Sequence, residues 1–388
     1  MAPSGFACCY TTKRYTTGGK TVLRGDGKKS YRLRNVGEND LEGLVYTCPP
    51  PGTEREVSTL ATSLPSTMKA WVYDRYGPPE VLEFRDISLP TFKDDHEVLV
   101  RVFASSVNAA DRHMLKLPFI LRRGHGFFKP KEGRPGSDVA GRVMAVGKDV
   151  KELHVGDEVF GIGRGAYAEH AVADETQVVL KPARLTFEQA GAVPLAAVTA
   201  LQGLRDKAEI RPGQQVLING ASGGVGTFAV QIAKSLGAEV TCVCSTQNVE
   251  LNQSLGASRV FDYSREDFTK SGQRYDVIFD TQLNHSLSAY RRALKPHGLL
   301  LIVGAGSGSA LRVIGRLLRT TMGARIVGPR TKFFIASIKK EPLAALKDLL
   351  DAGKVTPVID RRYPMNKVPD AYRYFGEGHA RGKIVVTV

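Results

Sequence analysis

Long hydrophobic runs, cysteine and acidic charge are all scarce in this chain of 388 residues. No stretch approaches the roughly 20 uninterrupted apolar residues that a membrane-spanning helix needs, which excludes a helical integral membrane protein. The longest apolar runs, such as Leu299 to Val303, read as buried strands instead. Five cysteines, two of them adjacent, cannot form a disulfide scaffold and point to a reducing compartment, with the cytoplasm as the default location. Acids number 39 against 54 basic residues, and the resulting charge of +15 favours anionic partners: a phosphorylated cofactor, an acidic membrane surface or nucleic acid. A hydrophobic share of 42% suffices for about two cored domains.

A hydrophobic pattern is also missing from residues 1–67, where Thr, Ser, Gly and Tyr dominate and Pro49, Pro50, Pro51 and Gly52 come near the end. This segment is expected to be a disordered N-terminal extension upstream of a start at Met68. Met1 to Lys20 lacks the apolar centre of a secretory signal. Its shortage of acids is a feature of organellar transit peptides, but no Arg-bearing amphipathic helix accompanies it.

From Met68 to about Ala192 short strands such as Glu97 to Phe103 and Asp138 to Val146 alternate with glycine and proline punctuation, which predicts a small β-barrel domain over 68–192. Strand and helix then alternate over 193–329, the pattern of a doubly wound parallel α/β sheet. Gln215 to Asn219 reads as a strand, Val225 to Leu236 as a helix stopped by Gly237, and Glu239 to Ser245 as the next strand. Residues 330–388, with an amphipathic helix near Pro342 to Ala352, form a final portion.

Directly after the strand Gln215 to Asn219 stand Gly220, Ala221, Ser222, Gly223, Gly224, Val225 and Gly226, and a helix opens at once. This is a G-x-G-x-x-G turn with Ala221 in the first place. Small residues let backbone amides approach a pyrophosphate, the helix N-terminus presents its positive end, and Gly226 permits close packing of helix on strand. Ser222, Gly223, Gly224, Val225 and Gly226 are therefore cofactor-binding candidates. At the end of the second strand, where an NAD site places an acid for the ribose hydroxyls, the chain offers Cys244, Ser245, Thr246 and Gln247. With no carboxylate there, a 2′-phosphate is admissible, Ser245 and Thr246 are its candidate donors, and NADPH is the expected cofactor. Cys242 and Cys244 read as buried small hydrophobes on one face of the strand.

The run Gly213-Gln214-x-x-Leu217-x-x-x-Ala221-Ser222-Gly223-Gly224-x-Gly226-x-x-x-x-Gln231-x-x-Lys234 resembles the signature of the quinone oxidoreductase, or zeta-crystallin, branch of the medium-chain dehydrogenase/reductases. Met68-Lys69-Ala70, Val107-Asn108-x-x-Asp111, Pro135-Gly136-x-Asp138-x-Ala140-Gly141, Val155-Gly156-Asp157-x-Val159, Gly165-Ala166-Tyr167-Ala168-Glu169 and Gly382-Lys383 agree in order. The resemblance spans Met68 to Val388. It implies a Rossmann domain inserted into a GroES-like β-barrel catalytic domain, the last portion returning to that barrel, and a nicotinamide cleft between the two.

Zinc-dependent alcohol dehydrogenases of the same superfamily have Cys where this chain has Asn108 and His where it has Ser137. Between Cys48 and Cys242 there is no cysteine, so neither customary zinc site can be assembled from thiolates, and no metal is expected. A carbonyl must then be polarised by hydrogen-bond donors while hydride leaves the nicotinamide. The resemblance makes the Asn108 amide and His113, which stands where Tyr is common, the catalytic candidates, whereas Asp111 reads as a cap or strut. It also implies that Thr199 lies near the nicotinamide ribose and that Val303, Gly304 and Ala305 meet the carboxamide; Tyr263 completes the cofactor candidates. For Thr199 the alternative is a helix-interior hydroxyl bonded to the preceding turn. The chain departs from the family at Thr281-Gln282-Leu283-Asn284, where a glycine-containing turn is usual, and at Asn248, where some members carry Lys.

Leu115 to Pro135 interleaves Lys116, Arg122, Arg123, Lys129, Lys131 and Arg134 with Phe119, Phe127 and Phe128, and Leu311 to Met322 aligns Arg312, Arg316 and Arg319 on one helical face. The two segments suggest weak contact with an anionic membrane surface near a lipophilic substrate. The expected protein is a zinc-independent, NADPH-dependent homodimer that reduces a quinone, enone or related conjugated carbonyl. Two other readings remain open: an alcohol or aldehyde oxidoreductase, and a nucleotide-regulated RNA- or membrane-binding protein without turnover. The absence of an aromatic base-stacking motif disfavours nucleic acid.

Overall fold

The computed structural model describes residues 64–388, apart from 124, 132 and most of 305–328, together with the backbone of three short strands within residues 13–32. The chain divides into two compact units, Met1–Ser66 and Thr67–Val388. In the first unit β1 (Lys13–Thr17), β2 (Lys20–Arg24) and β3 (Ser30–Arg32) form an antiparallel sheet. Thr17 pairs with Lys20, leaving two glycines between runs of Thr, Tyr and Val, a hairpin signal that composition alone conceals.

In the second unit, β4 (Thr67–Val72) and β5 (Glu83–Ser88) make a hairpin. The long strand β6 (Glu97–Ser106) runs into helix α1 (Ala109–Leu115), and β7 (Asp138–Val146), β8 (Glu158–Ile162), β9 (His170–Asp174) and β10 (Val178–Leu180) follow. Glycine shapes these strands where backbones approach: a Cβ on Gly141 would come within 2.0 Å of the Arg101 carbonyl oxygen. Helices α2 (Phe187–Gly191) and α3 (Pro194–Leu201) lead into the second sheet.

That sheet contains β11 (Gln215–Asn219), β12 (Glu239–Cys244), β13 (Arg259–Asp262), β14 (Tyr275–Asp280), β15 (Leu294–Ile302) and β16 (Arg330–Phe333). All neighbours are parallel, in the order β13-β12-β11-β14-β15-β16, which is the doubly wound dinucleotide-binding order. The strands carry near-continuous apolar runs because helices cover both faces: α4 (Gly224–Ser235), α5 (Val249–Ser254) and α6 (Leu287–Ala293) lie among them. Residues 330–333 belong to this sheet, so the boundary expected at 329/330 moves beyond Phe333; their pairing to β15 lies far away in sequence and leaves no local signal.

The chain then returns to the first sheet. β17 (Ile359–Pro364) pairs with β18 (Lys383–Thr387), and β18 joins β6 through Val385 and Ser106. The principal core is shared, since Phe160 and Val179 of the first sheet cluster with Val216 and Ile218 of the second and Phe228 of α4. All described residues of that core belong to Thr67–Val388. Deleting residues 1–66 is therefore expected to leave the main unfolding transition unchanged, and calorimetry of the shortened chain checks this: a large fall in Tm would contradict it.

Candidate active site

At the carboxyl end of β11 the backbone turns through Gly220, whose φ of +85° suits glycine, and Gly223 caps α4. A Cβ on Gly226 would lie 2.2 Å from the Gly220 carbonyl oxygen, so only glycine lets the helix start this close to the strand. The N–H groups of Gly224, Val225 and Gly226 open a three-turn helix and lack intrahelical acceptors, which makes the turn a cradle for phosphate oxygens. The Ser222 hydroxyl accepts a hydrogen bond from Asn252 Nδ2 at 3.0 Å, and its carbonyl accepts from the Gly382 N–H at 2.8 Å.

At the ribose end the structure changes the electrostatic picture. Thr246 Oγ1 donates to Asp262 Oδ2 at 2.6 Å, and Ser245 Oγ accepts from Asn248 Nδ2 at 2.9 Å. The expectation that no carboxylate stands near these hydroxyls is thereby corrected: Asp262 ends the neighbouring strand β13, and parallel pairing of β12 with β13 brings it there. Hydrogen bonds from Thr246 and Ser264 hold its carboxyl below the usual range. A compensating cation was missed by sequence reasoning. Arg381 Nη2 donates to the Gln247 carbonyl at 2.8 Å, so the guanidinium from the start of the last strand stands beside the Ser245–Gln247 turn. Tyr263 is 63% exposed, free to offer a ring face at this end. Cys242 and Cys244 are free and buried, and burial pushes both thiols up.

Toward the nicotinamide side, the Thr199 hydroxyl donates to the Leu195 carbonyl at 2.6 Å, the helix-interior alternative, which leaves only its lone pairs for a ligand. The N–H groups of Val303 and Gly304 both point to the Asp280 carbonyl, at 2.8 and 3.3 Å, and Ala305 lies outside the described residues. Asp280 Oδ1 accepts from the backbone N–H groups of Gln282 and Leu283. That clamp holds Leu283 at φ +49° where the resembling family uses glycine.

Under the start of α1 lies a buried polar cluster. Asn108 Nδ2 donates to Asp138 Oδ2 at 2.8 Å and to the Ser106 carbonyl at 3.4 Å, while Asn108 Oδ1 accepts from Lys383 Nζ at 2.5 Å. Both amide hydrogens have acceptors inside the protein, so the Asn108 side chain is part of the frame. Asp138 is fully buried and accepts in addition from the Ser106 hydroxyl and the Leu195 N–H, with Lys383 Nζ 3.4 Å away. Asp111 Oδ2 accepts the Asn108 N–H, the capping role read for it, and Oδ1 accepts the Ser137 hydroxyl. Burial first, then the Asp138 charge, raises the Asp111 carboxyl to about 6 against the lowering pull of Ser137, Lys383 and Asn108. His113 sits on the outer side of α1, and desolvation, then the Arg112 charge, lower its imidazole pKa.

The loop after α1 exposes Phe119, Phe127 and Phe128, and Arg122 lies 4.0 Å above the Tyr76 ring. Most of Leu311 to Met322, including Arg312 and Arg319, lies outside the described residues. Among the described residues no helix is long and apolar enough to cross a membrane, and no three His, Cys, Asp or Glu side chains gather as metal ligands. Asn108 and Ser137 in place of thiolate and imidazole do not fit a zinc ion.

Two family models match, the alcohol dehydrogenase GroES-like domain over residues 94–183 and the zinc-binding dehydrogenase over 255–386. The mitochondrial NAD(P)H oxidoreductase RTN4IP1 of Mus musculus is 38% identical over 86% of this chain and 92% of its own length. The 2-methylene-furan-3-one reductase of Solanum lycopersicum is 36% identical over 85% of this chain and 81% of its own. The chain belongs to the medium-chain dehydrogenase/reductase superfamily, in its quinone oxidoreductase branch. The solved quinone oxidoreductase from Coxiella burnetii is similar to this medium-chain reductase with a TM-score of 0.71 and 29% identity, over 83% of this chain and 99% of its own. An NAD(P)H-dependent oxidoreductase acting on a small molecule is thus established.

The Asp111 shift makes stability depend on pH in an unusual direction. Its native pKa of about 6 stands above the ordinary aspartate value of 3.8, so between these values the native state holds the extra proton. Stability is expected to fall as pH rises from about 4 to 6, by up to about 3 kcal/mol, and then to level off. Asp111→Asn should flatten that slope in denaturant titrations compared with wild type at pH 4, 5, 6 and 7; identical slopes would refute the shift.

Proposed function

We propose that the chain reduces conjugated carbonyls, enones and quinones, taking hydride from NADPH without a metal. The observation that carries this reading is the engagement of Asn108, at the place of a zinc-ligating cysteine, by Asp138, Ser106 and Lys383 on every polar atom of its side chain. With the Asn108 side chain committed to that frame and no thiolate in its place, oxidation of an alcohol would lack the Lewis acid that stabilises an alkoxide. A conjugated acceptor needs less: hydride adds at carbon while the electron pair reaches an oxygen met by neutral donors. NADPH, once bound, supplies that hydride from its nicotinamide. The chain's own part is to hold the pyrophosphate on the turn and to shape a site whose exposed Phe119, Phe127 and Phe128 suit a lipophilic acceptor. The relatives' names, a furanone reductase and a quinone oxidoreductase among them, support the same acceptor class.

Following NADPH oxidation against a panel of quinones, enones, saturated aldehydes and alcohols tests the reading, with metal analysis of the active protein. Quinones or enones are expected to be the best acceptors in protein free of zinc. Stoichiometric zinc with activity lost to a chelator and restored by the metal would overturn it.

Preference for NADPH is proposed to rest on Arg381 rather than on an absence of acids, since Asp262 opposes a 2′-phosphate from the other side of Thr246. A hydrogen bond to a charged group contributes about 1.5–3 kcal/mol, so Arg381→Ala should weaken NADPH binding by roughly 10- to 100-fold and leave NADH nearly unchanged. Fluorescence titrations with both cofactors check this, and parallel losses for the two would refute the assignment.

A further inference from the structure

Reduction of a conjugated carbonyl needs a proton as well as a hydride, and the polar cluster contains a pair suited to supply it. Ser106, Asn108, Asp111, Asp138 and Lys383 are all less than a tenth exposed, whereas Ser137, bonded to Asp111, is half-buried. The Ser137 hydroxyl is therefore the member through which this cluster meets the outside. Its place is enforced by Gly136, at φ +97°, where a Cβ would come within 2.6 Å of the Tyr167 nitrogen. Ser137 Oγ and Asp111 Oδ1 are 2.5 Å apart.

Asp138 is a poor source of the proton, because four donors, Ser106, Asn108, Leu195 and Lys383, already converge on its two oxygens. Asp111 receives two neutral donors, Ser137 and the Asn108 N–H. The groups that face it are Asn108 on its own helix, Ser137 and Asp138 at the start of β7, Lys383 on β18, Tyr167 in the loop before β9, and Tyr372 on the helix Val368–Glu377. Both tyrosines are buried and held neutral by burial. The surroundings thus hold one cation, one further carboxylate and several neutral hydroxyls.

We propose that Ser137, backed by Asp111, is the proton donor that completes the reduction. The inference rests on the reductase reading given above. Hydride leaves C4 of the dihydronicotinamide with its electron pair and forms a C–H bond at the β-carbon of the acceptor. The π electrons of the double bond pass to the carbonyl oxygen, giving an enolate, and the cofactor is oxidised. With Asp111 protonated, the hydrogen bond seen between Ser137 and Oδ1 reverses, the carboxyl donating to Oγ and freeing the Ser137 hydrogen. The Ser137 O–H bond then breaks toward the enolate, Oγ takes the proton of the Asp111 carboxyl, and water reprotonates Asp111 through Ser137 before the next turnover. One hydride and one proton are consumed per acceptor.

The test uses the full chain with NADPH and an enone that the wild type turns over. General acid catalysis contributes factors of about 10² to 10⁴, so Ser137→Ala should lower kcat at least 100-fold and raise the solvent deuterium isotope effect. NADPH affinity and Tm should stay as in the wild type, and Ser137→Thr should restore most of the rate. The wild-type kcat should decline as pH rises through about 6, a decline that Asp111→Asn removes. Should the alanine variant fold poorly, the Thr variant and the Asp111→Asn pH profile decide the matter alone. An unchanged kcat and solvent isotope effect in Ser137→Ala, or an unchanged pH profile in Asp111→Asn, would overturn the donor assignment and leave the reductase reading standing. A wild type that binds NADPH but reduces no acceptor would overturn the reductase reading, and the proton role with it.

Discussion

The buried pair of Lys383 and Asp138 is the contact on which the geometry of this protein turns. Removing two charges from water costs several kcal/mol for each, and the cost is offset only where every remaining polar atom finds a partner. Here the Asp138 carboxylate collects Ser106, Asn108 and the Leu195 N–H, while Lys383 reaches the Asn108 amide oxygen and the Val107 carbonyl. These partners come from β6, the start of α1, β7, the start of α3 and β18, so one satisfied cluster sets the relative position of five elements. Replacing either charge alone would strand the other in a dry interior.

The same lysine ties the catalytic sheet to the cofactor turn. A Cβ on Gly224 would come 2.9 Å from Lys383 Cδ, and the neighbouring Gly382 N–H bonds to the Ser222 carbonyl. The backbone that is to carry phosphate oxygens is thereby held by the last strand of the chain, which also pairs with β6 under the polar cluster. Gln231, two turns further along α4, makes a second tie: its side chain donates to the Thr356 carbonyl and accepts the Thr356 N–H. Two sheets, one shared core and these ties give the site a preorganised frame, which a reaction between two bound molecules requires.

The ribose end shows how charge is arranged by tertiary structure. Asp262 and Arg381 flank the turn after β12 although they lie 16 and 135 positions from Thr246 along the chain. One arrives through parallel strand pairing and the other through the return of the C-terminal strand. At Leu283 a comparable effect operates on the backbone: Asp280 clamps the following turn so firmly that a buried leucine adopts the left-handed conformation for which glycine is usual.

Much of the fold was legible from local pattern. The strand Gln215 to Asn219, the small-residue turn and the helix behind it carry their signal within about twenty neighbouring residues, because dihedral preference, periodicity and the need for absent side chains are local properties. The absence of cysteine between Cys48 and Cys242 likewise belongs to the sequence alone. Tertiary structure decided what each side chain does. Asn108 is a donor candidate in the sequence, yet folding engages its amide with Asp138 and Lys383, and Asp111 gains its raised pKa only from burial beside Asp138. Hydrogen-bond competition and desolvation depend on which distant residues converge, and no spacing along a chain encodes that convergence.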